Sequence, residues 1–368
     1  MAGDAAFGVP GRDFALGVEE ELIVVDPATL ALSHTGGAVL DRMTVPAGAG
    51  SAHPDTYAAL VEFASPVVKT ASDGARAVAA LRERARGAGA TLIGAGIHPA
   101  GAFGDVVHVD EPRYDAIHAQ LRGLLRRTPT CALHVHVGMP DAETAIRVFN
   151  GLREHLPLLQ ALAANSPFWH GADSGLASAR AQLFRGYPRG DLPPAFASYA
   201  DFEATVAAVV DAGDAPDYTF LWWDIRPHPR LGTVEVRAMD AQSALWSVEG
   251  LAGLIHALAR AAAADDRDPR TWSPREALME SSFRAARDGL GATLWHDGAL
   301  RPVAEVARAA LERARPYAAE LDAGGALEQV ERLLAGGGGA DRQRAAHARG
   351  GMPELLAHLA AETAAPLP

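Results

Sequence analysis

Four segments of this chain alternate apolar side chains with charged or imidazole side chains, and this alternation constrains its fold most strongly. In an extended strand, successive side chains point to opposite faces. Segments 17–25, 57–64, 131–138 and 222–240 therefore predict strands that are apolar on one face and polar on the other. The polar faces of these distant segments are expected to meet on a single concave wall.

The first two segments carry carboxylates. Glu19 and Glu21 share one face of the first segment, while Glu62 stands alone in the apolar run of the second and Asp55 lies shortly before it. Like charges this close repel, and burial increases the repulsion, so a divalent cation would relieve it. Simpler explanations stay open, because the first segment could be a solvated strand end and Glu62 could pair with an arginine.

The third segment places two histidines side by side. His134 and His136 share one face, and Leu133, Val135 and Val137 share the other. A lone histidine in a strand is more often a core residue with its hydrogen bonds satisfied. The pair favours contact with a metal or a phosphate.

The fourth segment combines carboxylates with guanidinium groups. Glu235 and Arg237 share a face, and Asp224 and Arg226 repeat the pattern in the preceding run. Either pair could be a structural ion pair only. Two neighbouring strands with this combination suggest an anionic ligand that is bound together with a metal.

The chemistry of this set points to magnesium or manganese and a nucleoside triphosphate. Carboxylate-rich sites suit these metals better than zinc. A phosphate-binding loop of the G-x-x-x-x-G-K-[ST] type is excluded, because Lys69 is the only lysine and no glycine precedes it closely. The formal net charge of −12 argues against a nucleic-acid or anionic-membrane partner. Cys131 is the only cysteine, so neither an internal disulfide nor a thiolate zinc cluster can form.

The chain is expected to form one domain, 1–368, with a motif-bearing sheet core over 14–242 and a helical part over 243–368. Helices are predicted at 142–163 with Asp141 as cap, at 274–288 between an N-cap Ser273 and a terminal Gly289, and at 342–363 after a flexible 336–339 link. No signal peptide is visible in 1–14 and no stretch is long enough to span a bilayer, so the cytoplasm is the expected location.

Several motifs together resemble those of the glutamate–cysteine ligase type 2 family, also called carboxylate–amine ligases. They occur in the order of that family and span about 14–242, and together they are far more specific than any one alone. The matching stretches are Gly17–Glu21, Val61–Val67, Gly96–Pro99, Leu133–Gly138, Ala164–Trp169, Gly175–Arg180, Trp222–Pro227 and Gly232–Arg237.

The resemblance implies an α+β, glutamine-synthetase-like catalytic fold, in which a curved and mostly antiparallel sheet forms an open funnel with helices outside. It also implies roles for individual residues. Arg237 would steady the transferring phosphoryl group, and Asp55 stands where the family usually has glutamate. The implied metal ligands are Glu19, Glu21, Asp55, Glu62, His134 and Glu235, of which His134 and Glu235 are also catalytic candidates; the candidates for substrate or phosphate contacts are Arg180, Arg226 and His136.

The implied activity is an ATP- and Mg²⁺-dependent ligase, with Mn²⁺ as a substitute, that joins glutamate or a similar carboxylate to an amine through an acyl phosphate. No cysteine-binding pocket is recognisable, which leaves the amine open. Dimers are common in that family, so a homodimer is one assembly that the resemblance allows. Two alternatives remain, a metal-dependent amidohydrolase suggested by the His134-x-His136 pair and a nucleotide-binding relative without activity.

Overall fold

A seven-stranded sheet forms the centre of the fold. The structure is a computed structural model, and it describes residues 6–213, 215–265, 267 and 271–367. The sheet strands are β1 (Leu16–Val25), β2 (Ser51–Pro54), β3 (Leu60–Ala64), β4 (Thr91–Ile93), β5 (Ala132–Gly138), β8 (Ile225–His228) and β9 (Thr233–Asp240). Their order is β2-β3-β1-β5-β9-β8, with β4 also paired to β1, and every pairing is antiparallel.

Two small hairpins lie outside this sheet. One joins β6 (Phe168–Trp169) to β7 (Ala172–Asp173), and the other joins β10 (Thr293–His296) to β11 (Ala299–Pro302). The second hairpin lies within the C-terminal part, which is otherwise helical as expected. Asp297 and Gly298 form the two-residue turn between β10 and β11. Both residues have positive φ, as tight hairpin turns of this kind require.

Helices account for most of the remaining described chain. They are α1 (Gly36–Arg42), α2 (Ala71–Gly87), α3 (Pro112–Leu121), α4 (Ala142–Arg153), α5 (Leu156–Ala163), α6 (Ala179–Phe184), α7 (Tyr199–Ala212), α8 (Leu245–Ala263), α9 (Arg275–Asp288), α10 (Val303–Ala318), α11 (Gly324–Gly336) and α12 (Gly339–Ala364). None of the described helices is long and apolar enough to cross a membrane.

The apolar face of the sheet packs on the helices. Leu133, Val135 and Val137 of β5 are fully buried in one core cluster with Leu159 of α5 and Ile255 of α8. Burying an aliphatic side chain of this size contributes about 1.5–3 kcal/mol relative to leaving it exposed. The alternation seen in the sequence therefore sets which face of each strand is turned toward the helices, and it leaves the charged residues on the opposite face.

Strand positions agree with the sequence expectations in the first and third segments. In the second segment β3 begins at Leu60 and not at Tyr57, because Ala58 and Ala59 form a turn, and the fourth segment also departs from its prediction. The strand β8 begins only at Ile225, so Asp224 precedes it. Asp224 is buried and accepts a hydrogen bond from Gln160 at 3.3 Å. Its backbone nevertheless continues the ladder with β9, since the Asp224 carbonyl accepts from the N–H of Arg237 at 2.8 Å. Asp224 therefore lies opposite Arg237, as Arg226 lies opposite Glu235, in line with the expected pattern.

The predicted helix over 142–163 is two helices. Asp141 caps α4 as expected, since its side chain accepts from the backbone N–H of Thr144 at 2.7 Å. The chain then breaks at Glu154 and His155 before α5, whose second residue is Pro157. Proline has no N–H and clashes with the carbonyl four residues earlier, so it suits a helix start and not a helix interior.

The other helix predictions are partly right. Ser273 does not cap α9, which begins at Arg275, because the Ser273 hydroxyl donates to Glu154 at 2.6 Å. Gly289 does end that helix, with a φ of 55°. The last helix begins earlier than predicted, at Gly339, and is kinked at 350–351, so only 337–338 separate it from α11. The signal-peptide expectation for 1–14 falls partly on residues 1–5, which lie outside the described part.

Candidate active site

The antiparallel register brings the polar positions of distant strands into neighbouring rows. Glu21 of β1 stands opposite Glu62 of β3, and Glu19 stands opposite His134 of β5. His136 of β5 in turn stands opposite Glu235 of β9. Because side chains at paired positions of an antiparallel sheet lie on the same face, these residues form one continuous polar surface.

This surface forms the floor of a cavity of about 520 Å³, a size typical of small-molecule sites. All the site residues predicted from the sequence line it, although they come from five strands, one helix and one loop. They are Glu19, Glu21, Asp55, Glu62, His134, His136, Arg180, Arg226, Glu235 and Arg237. The structure thus brings the predicted set together, while the chemical role of each member stays a prediction.

Three of these residues are arranged as a metal site requires. Glu19, His134 and Glu235 each offer one ligand atom, and these atoms lie within 4.8 Å of one another. Nδ1 of His134 is 3.5 Å from Oε2 of Glu19. Two carboxylates and one imidazole in a largely buried site fit a divalent cation such as Mn²⁺ or Mg²⁺, which would lie between them.

Glu235 is held by two arginines at the centre of the site. Its side chain is only 1% exposed. Nε of Arg226 donates to Oε2 of Glu235 at 2.6 Å, and Arg237 donates to Oε1. Burial alone would raise the pKa of Glu235, but the charges of Arg226 and Arg237 outweigh it and hold that pKa well below its usual value. Glu235 is therefore ionised and fixed in place.

A second group of carboxylates has raised pKa values, in contrast to the lowered pKa of Glu235. Burial and the negative charge of Asp55 raise the pKa of Glu21 to about 8. Burial and the charges of Glu19 and Glu21 raise the pKa of Glu62 well above its usual value. Burial also raises the pKa of Asp55. These acids resist ionising together, so a cation between them would lower the energy of the charged state.

The two histidines of β5 differ in protonation. Burial and the nearby charge of Arg237 lower the pKa of His134 to about 4, which keeps its imidazole neutral and able to bind a metal. Burial opposes charge on His136, but the carboxylates of Glu19 and Glu235 raise its pKa above the usual value. Nε2 of His136 lies 3.4 Å from Glu19, and Nδ1 shares a 3.0 Å hydrogen bond with Thr233.

Two of the predicted arginines, Arg226 and Arg180, differ in how many hydrogen bonds they donate to the protein. Arg226 directs its guanidinium to Glu235 and to the carbonyls of Thr219, at 3.0 Å, and Leu221, at 3.4 Å. Arg180 is buried too, but its Nε has no hydrogen-bond partner among the described residues. Arg180 thus lines the cavity with few of its donors engaged by the protein, whereas Arg226 is held by several hydrogen bonds.

Sequence reasoning missed several residues of the cavity wall. His228 could have been found, since it continues the two-residue period of Arg226 along β8. Arg113 and Tyr114 could not, because α3 carries no polar periodicity and only the tertiary fold places it over the sheet. The further lining residues include His53, Tyr57, Thr130, Phe184, Tyr187, Thr219, Trp222 and Leu231.

The sequence matches a known family and named relatives. Residues 15–358 match the profile described as glutamate-cysteine ligase family 2 (GCS2). A glutamate–cysteine ligase of Halobacterium salinarum is 38% identical over 283 residues, which cover 74% of this chain and 79% of that protein. A candidate glutamate–cysteine ligase of Rubrobacter xylanophilus, named 2-3, is 40% identical over 361 residues. These residues cover 95% of this chain and 97% of that protein.

The fold also resembles a solved structure. A glutamate–cysteine ligase of Francisella tularensis, crystallised in complex with AMP, superposes with a TM-score of 0.70 at 12% identity. The superposition covers 97% of this chain and 89% of that one. The predicted α+β, glutamine-synthetase-like fold class with a mostly antiparallel sheet is thereby confirmed.

Proposed function

Because the chain belongs to glutamate–cysteine ligase family 2, we propose that this ligase uses ATP and Mg²⁺, or Mn²⁺, to join the γ-carboxylate of glutamate to an amine. One observation carries the proposal: carboxylates, histidines and arginines from distant strands converge on a single cavity of about 520 Å³. The AMP in the Francisella tularensis ligase supports a nucleotide as co-substrate.

The need for ATP follows from elementary chemistry. A carboxylate does not condense with an amine in water, because its oxygen is a poor leaving group. Transfer of the γ-phosphoryl group converts the carboxylate to an acyl phosphate, which the amine attacks with release of phosphate. Positioning and electrostatic stabilisation dominate catalysis of phosphoryl transfer, which is what a rigid, charged sheet face can supply.

The carboxylates of the site are suited to hold metal. Glu19, His134 and Glu235 would bind one divalent ion, and Glu21, Glu62 and Asp55 would bind a second. Such ions neutralise phosphate oxygens when they are bound. Glu19 in the first group is already ionised, because the charge of His136 and the close contacts of both histidines, at 3.5 Å for His134 and 3.4 Å for His136, outweigh burial and lower the Glu19 pKa well below its usual value.

Arg237 is the proposed contact to the transferring phosphoryl group. Its guanidinium is fixed by Glu235, and its Nε has no hydrogen-bond partner among the described residues. A fixed guanidinium can stabilise the charge that spreads over the phosphoryl oxygens without having to reorganise. His136, whose Nε2 lies 3.8 Å from Glu235, is the second cationic candidate for phosphate contact.

ADP and phosphate release from purified protein tests the proposal. We expect ADP formation that requires Mg²⁺, a carboxylate substrate and an amine together, with glutamate and a panel of amines that includes cysteine. A Glu19→Gln variant should lose the activity, whereas Glu83→Gln on the exposed side of α2 should retain it. Nucleotide binding with no ADP release for any pair would favour a relative without activity.

No observation favours the hydrolase alternative. Lys69, the only lysine, is absent from the cavity wall as far as the structure describes it, and a bridging lysine is what that class would add to its histidines. Amide cleavage without ATP would overturn the ligase assignment. The homodimer and the single domain stay predictions.

A further inference from the structure

Asp240 lies at the end of β9 and is 2% exposed, behind the wall of the cavity. Oδ1 of Asp240 accepts from the Ser178 hydroxyl at 2.8 Å. Oδ2 accepts from the Ser166 hydroxyl at 2.6 Å and from the backbone N–H of Asn165 at 2.9 Å. A buried carboxylate with both oxygens satisfied in this way is fixed in orientation.

Ser166 and Ser178 connect this carboxylate to the start of α6. The Ser178 hydroxyl accepts from the backbone N–H of Ala181 at 3.1 Å, and the Ser166 hydroxyl accepts from that of Arg180 at 3.2 Å. Since each hydroxyl donates its one proton to Asp240, its lone pairs must face the helix. Without the carboxylate each hydroxyl could rotate, and the start of α6 would lose both acceptors.

The backbone of Gly96 packs closely against this network. A Cβ at Gly96 would lie 2.6 Å from Cγ of Asp240 and 2.8 Å from Oγ of Ser166. Contacts this short are not tolerated, so the position requires glycine for the close approach of the chain. Gly96 therefore closes the side of Asp240 and Ser166 that it faces.

Arg180 is the second residue of α6, and its backbone N–H is held by the Ser166 hydroxyl of this network. Nη2 of Arg180 donates to the carbonyl of Arg237 at 3.4 Å, and Nη1 is 3.8 Å from Oδ1 of Asp240. At 3.8 Å, Asp240 balances the charge of Arg180 but does not engage the N–H donors of its guanidinium in hydrogen bonds. Arg226 contrasts with this, since Glu235 accepts from it at 2.6 Å.

We propose that Asp240, Ser166 and Ser178 are positioning residues that hold Arg180 as the anchor for an anionic group of a substrate. The group is a carboxylate or a phosphate, both of which pair with a guanidinium. The inference rests on the proposed function for the identity of the substrate, but the placement of Arg180 can be tested separately.

Steady-state kinetics of Ser166→Ala and Ser178→Ala test the role. We expect each to raise the KM of the bound anion about five- to tenfold, the effect of a lost hydrogen bond, with kcat and Mg²⁺ dependence nearly unchanged. A rise in the KM of glutamate alone assigns the carboxylate, and a rise in that of ATP alone assigns the phosphate. Ser247→Ala is the matched control, because its buried hydroxyl has no partner among the described residues.

A double-mutant cycle separates positioning from general damage. In an Arg180→Ala background, Ser178→Ala should raise KM no further, because its effect passes through that arginine. A full additional effect in that background, or unchanged KM values in both serine variants, overturns the proposal.

Crystal structures make the result independent of activity. In the Ser166→Ala/Ser178→Ala protein, the guanidinium of Arg180 should move or become mobile, with Ser247→Ala as reference. An unmoved Arg180 overturns the positioning role even if the enzyme is active. A displaced Arg180 in a protein without ligase activity supports the positioning role and refutes the proposed function.

Discussion

Glu21 and Glu62 face each other across neighbouring antiparallel strands, in directly paired positions of β1 and β3. Both side chains are largely shielded from water, and the pKa of each is raised, that of Glu21 to about 8. Like charges placed opposite each other destabilise a sheet. The pair therefore makes the stability of the metal-free protein depend on pH and on divalent cations.

We expect the metal-free protein to lose stability as the pH rises from about 5 to 8. A carboxyl group with a raised pKa binds more protons in the folded than in the unfolded protein between the two values, here 4.5 and about 8 for Glu21. Its contribution is full below 4.5 and is lost as the pH rises to 8. Thermal unfolding in chelator at pH 6, 7 and 8 would show this as a falling Tm, and Glu62→Gln should flatten the trend.

Added Mg²⁺ or Mn²⁺ should stabilise the protein more at pH 8 than at pH 6. Metal binding requires the ionised acids, and a ligand at 100 times its Kd adds about 2.7 kcal/mol of stability. The measurement is the shift in Tm when metal is added, and the reference is the same protein in chelator without added metal. An equal shift at both pH values would contradict a site built from Glu21 and Glu62.

Glu62→Gln should raise the metal concentration needed for half-maximal activity by about tenfold or more, because it removes a charged ligand. A Mg²⁺ or Mn²⁺ titration of ADP release measures this. Glu83→Gln, at an exposed position of α2, serves as the control that changes charge by the same amount. An unchanged titration for Glu62→Gln would refute its role as a ligand.

Arg237→Ala should lower turnover by roughly 10³-fold or more, as is found for other arginines at phosphoryl transfer. Loss of this guanidinium also leaves Glu235 with Arg226 as its only arginine partner. Arg287→Ala is the matched control, since Arg287 pairs with Asp288 on the surface of α9. Near-normal ADP release by folded Arg237→Ala protein would count against the phosphoryl contact.

Glu20→Leu should destabilise the protein by about 3–5 kcal/mol, since it leaves a buried arginine without its counter-charge. Glu20 and Arg82 are 0% and 2% exposed and form a two-bonded ion pair at 2.8 and 2.6 Å behind the sheet. Urea unfolding at pH 7 measures the difference. A loss below about 1 kcal/mol, the range of surface pairs, would show that the pair contributes little.

The strand pattern predicted much of the site. Alternation in β1, β5 and β9 identified which side chains share a face, since this property depends only on positions two residues apart. Glu19, Glu21, His134, His136 and Glu235 were found in this way, and all line the cavity. His228 was within reach of the same reasoning and was missed.

Loop and helix contributions were less accessible. Asp55 was noted only because it lies shortly before the strand of Glu62, and Arg180 was assigned by resemblance. Arg113 and Tyr114 gave no signal at all. Contacts between segments far apart in the chain decide such positions, and short-range patterns do not record them.

By itself, the sequence of this protein determined the buried and polar faces of the strands, the carboxylate-rich chemistry and the family. Only the tertiary structure decided that Arg226 is engaged by Glu235, that Arg180 has few of its donors engaged by the protein, and that Asp240 supports it from behind. The physical reason is range: side-chain alternation is local, whereas the partner of a charged group depends on which distant strand or helix packs beside it.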